Sequence, residues 1–167
     1  TEEGFGLNID AVKEFIGSGV SLIITIDCGI ADVLPVAHAQ ENGIDVIITD
    51  HHEEGLTVPA AYAVVNPKQK SCEYPEKVLC GSGVLYKFVQ ALLYTLRQRE
   101  MISGIPNGWE KWLLDMVGIA TLSDMVELTP ENKAIVKVGM NKLRDNPRPG
   151  ILALARLARV YLKDLTQ

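Results

Sequence analysis

The apolar positions of this chain change their period once, about halfway along. In the first half, short β-branched runs alternate with helix-like stretches. Ile9 to Ile16 carries apolar side chains at helical spacing and stops at Gly17-Ser18-Gly19, residue types that end helices well. Ser21-Leu22-Ile23-Ile24-Thr25-Ile26 follows, a nearly continuous apolar run short enough to be a buried strand, and it halts at Asp27-Cys28-Gly29. Ala31 to Asn42 is predicted as a helix, with Pro35 early enough for its missing N–H to be tolerated and Gly43 closing it. The pattern then repeats. Ile44 to Thr49 is a second buried strand ending at Asp50-His51-His52, and Ala61 to Val65 a third short one before Asn66-Pro67-Lys68.

From Val78 onward the spacing is helical. Gly81-Ser82-Gly83 leads into a helix from Val84 to Arg97, and further helices are expected over Trp109–Leu122, Asn132–Leu143 and Ile151–Leu162, with Met101 to Gly108 a loop. Trp109 and Trp112 could stack on bases, but their helical spacing beside Leu113 and Met116 favours core packing. His38, between alanines in a helix, reads as structural or merely exposed. Strand, helix, strand is a βαβ unit, whose crossover makes the two strands parallel and puts their ends on one edge of the sheet. The predicted class is therefore α/β with a mainly parallel, Rossmann-like sheet, followed by a helical part.

Composition narrows the function. The 167 residues are 47% hydrophobic, enough for one sizeable core. No apolar run approaches the roughly 20 residues that span a bilayer, and Thr1-Glu2-Glu3-Gly4 has no signal character, so the expectation is a soluble, cytoplasmic protein with no membrane partner. Cys28, Cys72 and Cys80 fit neither a disulfide framework nor a thiolate zinc site and are expected to be reduced thiols. The net charge of −5 gives no general attraction for nucleic acid, so any DNA binding must be local or supplied by another domain, and acidic residues that bind divalent cations would reverse the local sign.

The chemistry concentrates at the strand ends. In open α/β sheets, ligands sit outside the carboxyl ends of the strands. Asp27 ends one strand and Asp50, His51 and His52 end the next; adjacent strands are about 4.8 Å apart, which allows these side chains to share an ion. Carboxylates with imidazole suit Mn, Zn or Fe, with Mg where carboxylates dominate. The ordinary reading of Asp27 is a helix N-cap, but consecutive ionisable groups at a buried strand end are costly unless a metal or partner pairs them. Asp124 follows an apolar helix and on its own reads equally as a capping residue. Ser82 and Gly83, at a helix N-terminus, suit either a phosphate cradle or a tight packing turn. The Lys and Arg residues of the last helix suit either phosphate contacts or a solvated face.

Six ordered segments carry a resemblance: Gly4-Phe5-Gly6-Leu7-Asn8, Ile24 to Gly29, Thr49-Asp50-His51-His52-Glu53, Val65-Asn66-Pro67-Lys68, Leu79 to Val84, and Ser123-Asp124-Met125-Val126-Glu127-Leu128 with Glu131-Asn132-Lys133. In these the chain resembles the RecJ-type exonucleases of the DHH phosphoesterase superfamily over essentially its whole length. The resemblance implies a three-layer sandwich and metal-dependent hydrolysis of single-stranded DNA, 5′ to 3′ with release of mononucleotides, in DNA repair and recombination. It implies Mn2+ or Mg2+ as cofactor, and a single-strand-binding protein or repair helicase as partner. It assigns Asp27, His51 and Asp124 to the metal, with these three and His52 catalytic. His52 meets substrate phosphate, Asp50 supports the imidazoles, and Ser82 and Gly83 are substrate-binding candidates.

The first family motif, an Asp-rich strand end, would precede Thr1, and the DHH-associated domain would follow Gln167. The expectation is a partial DHH domain over 1–150 with a trailing helix over 151–167, weak or inactive alone. Rival readings are a DHH oligoribonuclease or small-phosphate phosphatase, and a catalytically inactive scaffold in a replication complex.

Overall fold

The computed structural model of the chain describes residues 5–164. Gly4, from the first of the six matching segments, and residues 165–167 of the expected trailing helix lie outside that range. The chain divides into two compact units at Phe88/Val89.

The first unit is the βαβ arrangement. Helix α1 (Ile9–Gly17) is capped by Asn8, whose side-chain oxygen accepts from the Ala11 N–H at 2.8 Å. Strand β1 (Leu22–Ile26), helix α2 (Val33–Glu41), and strands β2 (Asp45–Thr49) and β3 (Ala63–Val65) follow. The strands are ordered β1-β2-β3 and all pairs are parallel, with Ile26 opposite Thr49 and Thr49 opposite Val65. All three strands therefore end at one edge, where the next residues are Asp27, Asp50 and Asn66. The core lies between the helices and one sheet face: Val12 from α1, Val36 and Ala39 from α2, and Val46 and Ile48 from β2 are buried with Ile44, while Ile23 and Val64 pack alongside. Each fully buried Val or Ile contributes roughly 1.5–3 kcal/mol, so this cluster holds the sheet against its helices.

The other sheet face differs from expectation. The β1 run reads as buried on both sides, but Leu22, Ile24 and Ile26 are each close to half exposed. Only Ile23 and Thr25 point to the core side, as the two-residue period of a strand requires when the helices cover one face of it. An unbroken apolar run does not distinguish a strand covered on both faces from one covered on a single face.

The second unit is helical. Helix α3 (Gly81–Gln98) leads into it, followed by a 3₁₀ turn (Trp109–Leu113), α4 (Leu114–Ser123), α5 (Pro130–Asp145), α6 (Pro149–Leu157) and a final 3₁₀ turn (Leu162–Asp164). Helices α4 and α5 cross at Gly118 and Gly139, where a Cβ on Gly139 would collide with the Leu114 carbonyl and press on the Gly118 Cα. Val117, Ile135, Met140 and Leu143 are buried in this unit. The tryptophans depart from their expected core role. Trp109 and Trp112 sit in the 3₁₀ turn, whose tighter winding breaks the α-helical register, and both are about half exposed, with the Lys142 ammonium 4.4 Å from the Trp112 ring. The last helix is also shorter than its apolar pattern suggests. It ends at Leu157, with Arg159 left-handed at φ 54° and the Val160 N–H bonded back to the Ala155 carbonyl, a Schellman-type stop formed without glycine.

The N-terminus of α6 is pinned by Arg148. Its guanidinium donates to both Asp115 carboxylate oxygens, at 2.6 and 3.0 Å, and to the Trp112 carbonyl at 2.9 Å. Burial works to raise the Asp115 carboxyl, but the Arg148 bonds, the Met116 N–H and the nearby charges of Arg148 and Lys142 hold it below its ordinary value. A carboxyl depressed by folding adds stability above its unfolded value, and that stability is lost as pH falls through the folded value. Arg148→Ala should therefore cost about 1–3 kcal/mol at neutral pH, read as a lower urea midpoint. The gap to the native chain should persist down to about pH 4, the unfolded Asp range, and close progressively below it.

Candidate metal centre

The site forms where β1 and β2 end side by side. Because Ile26 and Thr49 are in register, Asp27 and Asp50 begin equivalent turns, and the Asp27 N–H donates to the Thr49 carbonyl at 2.9 Å. Asp27 then adopts a left-handed backbone, φ 63°, which Asp tolerates better than most residues at a cost of about 1–2 kcal/mol. Thr25 and Thr49 brace the strand ends: the Thr25 hydroxyl donates to the Cys28 carbonyl at 2.8 Å and the Thr49 hydroxyl to the Thr25 carbonyl at 2.7 Å.

The turn brings the Asp27 carboxylate to the His51 imidazole, with Oδ1 3.0 Å from Nε2. His51 is buried and Asp27 exposed. His52 tilts against His51, ring centroids 4.4 Å apart, and one donor atom from each of Asp27, His51 and His52 falls within 4.8 Å of the others. A cleft of about 240 Å³ opens beside them, lined by Asp27, Cys28, Asp32, Asp50 and His52 among others.

Asp50 organises this edge. It is 1% exposed, and its Oδ1 accepts from the His51 N–H at 2.7 Å, from the His52 N–H at 3.2 Å and from the His52 ring at 2.7 Å; its Oδ2 accepts from the Ile30 N–H at 3.0 Å. Burial pushes the Asp50 carboxyl up, but these bonds outweigh it and hold the group below the usual carboxylate value. The anion therefore takes a proton-bearing Nδ1 from His52, which leaves Nε2 outside this bond. Burial, followed by the charges of Asp32 and Asp50, pushes the Cys28 thiol up, so it is a poor nucleophile here. All three cysteines are free thiols.

Two contributors do not stand out as site residues in the sequence. Asn66 is buried at the end of β3 and donates to the His52 carbonyl at 2.9 Å while accepting from the Lys68 N–H at 2.8 Å, which ties the third strand to the histidine loop. Its sequence signal is an Asn-Pro pair placed, like Asp27 and Asp50, at a strand end. Gly81 is the other. A Cβ there would run into the Asp27 carboxylate, so the start of α3 approaches that side chain as closely as only glycine permits.

Other candidates stand elsewhere. Ser82 and Gly83 lie in the first turn of α3, where the Gly83 N–H is engaged by the Cys80 sulfur at 3.3 Å. Asp124 is in the second unit, at the C-cap of α4, with the left-handed Met125 after it. His38 lies in the last turn of α2, and its carbonyl accepts from the Asn42 side chain at 2.8 Å.

A carboxylate and two imidazoles at the carboxyl edge of a parallel sheet form a candidate metal centre, and comparison with known proteins gives the family. Residues 4–121 match the family described as "DHH family, N-terminal domain", and the chain belongs to that family. It is 42% identical over 157 residues to the single-stranded-DNA-specific exonuclease RecJ of Bacillus subtilis strain 168, an alignment covering 94% of this chain and 18% of the relative. It is 41% identical over 162 residues to the protein of the same name from Escherichia coli K12, covering 94% of this chain and 28% of the relative. A crystal structure of exonuclease RecJ bound to manganese aligns with TM-score 0.77 and 31% identity over 93% of this chain and 37% of that one. RecJ in complex with Mn2+ from Thermus thermophilus aligns with TM-score 0.72 and 29% identity, over 93% and 22%. The chain thus spans less than a third of the length of those two sequence relatives. Among the described residues, no helix is long and apolar enough to cross a membrane.

The Asp50 network makes a direct prediction. Asp50→Ala strands three N–H groups and frees the His52 ring, so it should lower stability by about 3 kcal/mol or more in urea denaturation. The His52 ring signals in NMR should narrow toward those of a mobile side chain.

Proposed function

We propose that this chain carries part of a divalent-metal site for phosphodiester hydrolysis in single-stranded DNA, cutting 5′ to 3′ and releasing mononucleotides. The observation that carries this reading is the convergence of Asp27, His51 and His52 donor atoms within 4.8 Å at the ends of two adjacent parallel strands. The relatives' names, single-stranded-DNA-specific exonuclease, supply the substrate class. By the same resemblance the protein would act in the cytoplasm, in DNA repair and recombination, beside a single-strand-binding protein or a repair helicase.

The donor set fits a divalent ion. Carboxylate oxygen with imidazole nitrogen suits Mn2+ better than the all-oxygen shell Mg2+ favours, and the manganese in the related RecJ structures points the same way. Asp27 and His51 would hold the ion, and the family resemblance nominates Asp124 as a further carboxylate ligand. Such an ion lowers the pKa of bound water and offsets the charge that builds on phosphate. The remaining work falls to the protein. Asp50 fixes the His52 ring through Nδ1, so that a ring carrying both protons would donate its Nε2 N–H to a phosphate oxygen without rotational loss. Gly81 leaves the Asp27 carboxylate free to occupy its place.

Calorimetric titration with Mn2+ tests the assignment. The native chain should bind saturably, and His51→Ala with Asp124→Ala should abolish binding; equal heats from the two proteins would overturn it. Ribonucleotide oligomers or small phosphate esters turned over in preference to single-stranded DNA would refute the substrate class. Gly81→Ala should stay folded by circular dichroism and bind Mn2+ about ten- to a hundredfold more weakly, the loss typical when a group orienting a metal ligand is disturbed.

A further inference from the structure

The second unit carries a groove of about 830 Å³ between the end of α5, helix α6 and the final 3₁₀ turn, lined by Arg144, Arg156, Arg159, Tyr161, Leu162 and Lys163 among others. We propose that this groove is a binding surface for single-stranded nucleic acid, with the cations on the phosphates and Tyr161 stacking on a base. The choice of nucleic acid rests on the function proposed above; the surface itself does not.

The charge is concentrated against the trend of the chain. The net charge is −5, yet from Arg144 to Asp164 there are five cations and two carboxylates. Arg148 is committed to Asp115, and Arg144 bonds Asn141. Arg156, Arg159 and Lys163 make no ion pair among the described residues. Asp164 is the one carboxylate among the described residues that line the groove.

The backbone assembles the cluster. At Arg159 the chain turns left-handed, φ 54°, a conformation usually given to Gly or Asn. The turn is closed by the Val160 N–H on the Ala155 carbonyl, and a second bond, Asp164 N–H to the Tyr161 carbonyl, coils the chain again at once. Tyr161 and Lys163 thereby line the same groove as Arg156. Helix-dipole compensation accounts for cations in the last turns of α5 and α6, Arg144 and Arg156. It does not account for Arg159 and Lys163, which lie past the end of α6, nor for a tyrosine 77% exposed among them. Cations beside an open aromatic ring suit a strand whose bases each offer a π face and whose backbone offers regular negative charge. An acidic peptide would use the charges but has no need of the exposed ring.

The test is fluorescence anisotropy of a labelled oligothymidylate with EDTA present, so that no metal takes part. The native chain should bind at low salt, and log affinity should fall linearly with log salt. The triple variant Arg156→Gln, Arg159→Gly, Lys163→Gln should bind at least about tenfold more weakly with a slope shallower by about 2, since each phosphate contact on a single strand contributes about 0.7. Glycine at 159 suits the left-handed turn, so loss of the fold does not explain the result. Tyr161→Ala should weaken binding about fivefold or more, the low end of one lost stack. Unchanged Mn2+ titration of the triple variant separates this surface from the metal centre, and loss of Mn2+ binding in the native chain would sink the hydrolytic reading alone. Equal oligonucleotide affinity in native and triple variant, no binding by the native chain, or tighter binding of a polyglutamate peptide than of the oligonucleotide would each overturn the proposal.

Discussion

One buried carboxylate holds the functional edge together. Asp50 gives up the hydration of a full negative charge, and recovers that loss only because three backbone N–H groups and an imidazole converge on it. Those donors come from both sides of the edge: Ile30 from the loop after β1, and His51 and His52 from the loop after β2. The carboxylate therefore acts as a clasp between two turns that no β-ladder joins. The side chains proposed to hold an ion, Asp27 and His51, extend from the two turns that this clasp joins. A charge that is fully satisfied and buried is a rigid reference point, and side chains set around it need little further support.

The architecture is largely legible because each strand is announced twice, by its apolar run and by the polar residues that stop it. Asp27, Asp50 and Asn66 mark the end of the sheet in all three cases, and the parallel register puts them side by side. What is not legible has specific causes. An apolar run carries no sign of whether its second face is covered, so the half-exposed Leu22, Ile24 and Ile26 look buried in the sequence. A 3₁₀ turn imitates the first turn of an α-helix in sequence while rotating its side chains differently, which turns Trp109 and Trp112 outward. Arginine at a left-handed helix end leaves no glycine to announce the stop, so α6 ends at Leu157 although its apolar pattern runs on to Leu162.

The site is legible in part for a related reason. Asp27, Asp50 and the two histidines stand in short polar clusters at strand ends, where burial makes charge conspicuous. Asp124 has no such context, being an Asp after a helix, and only the resemblance to known enzymes nominates it. Gly81 reads as part of a helix start rather than as the neighbour of a carboxylate, since nothing in the long stretch of sequence between Asp27 and Gly81 hints that the two meet. Close approach between distant segments is what periodicity cannot encode.

The left-handed backbone at Asp27 sets a trade-off between durability and chemistry. Asparagine accepts that conformation at least as readily and glycine accepts it freely, so drift at this position toward either would meet little resistance from folding. Both would remove the anionic oxygen that faces His51. Selection for a sturdier protein and selection for a working site therefore pull in opposite directions at this residue. If Asp27 holds an ion as proposed, a lineage released from that duty would lose Asp27 readily, while Asp50, whose hydrogen bonds join the two turns, would persist.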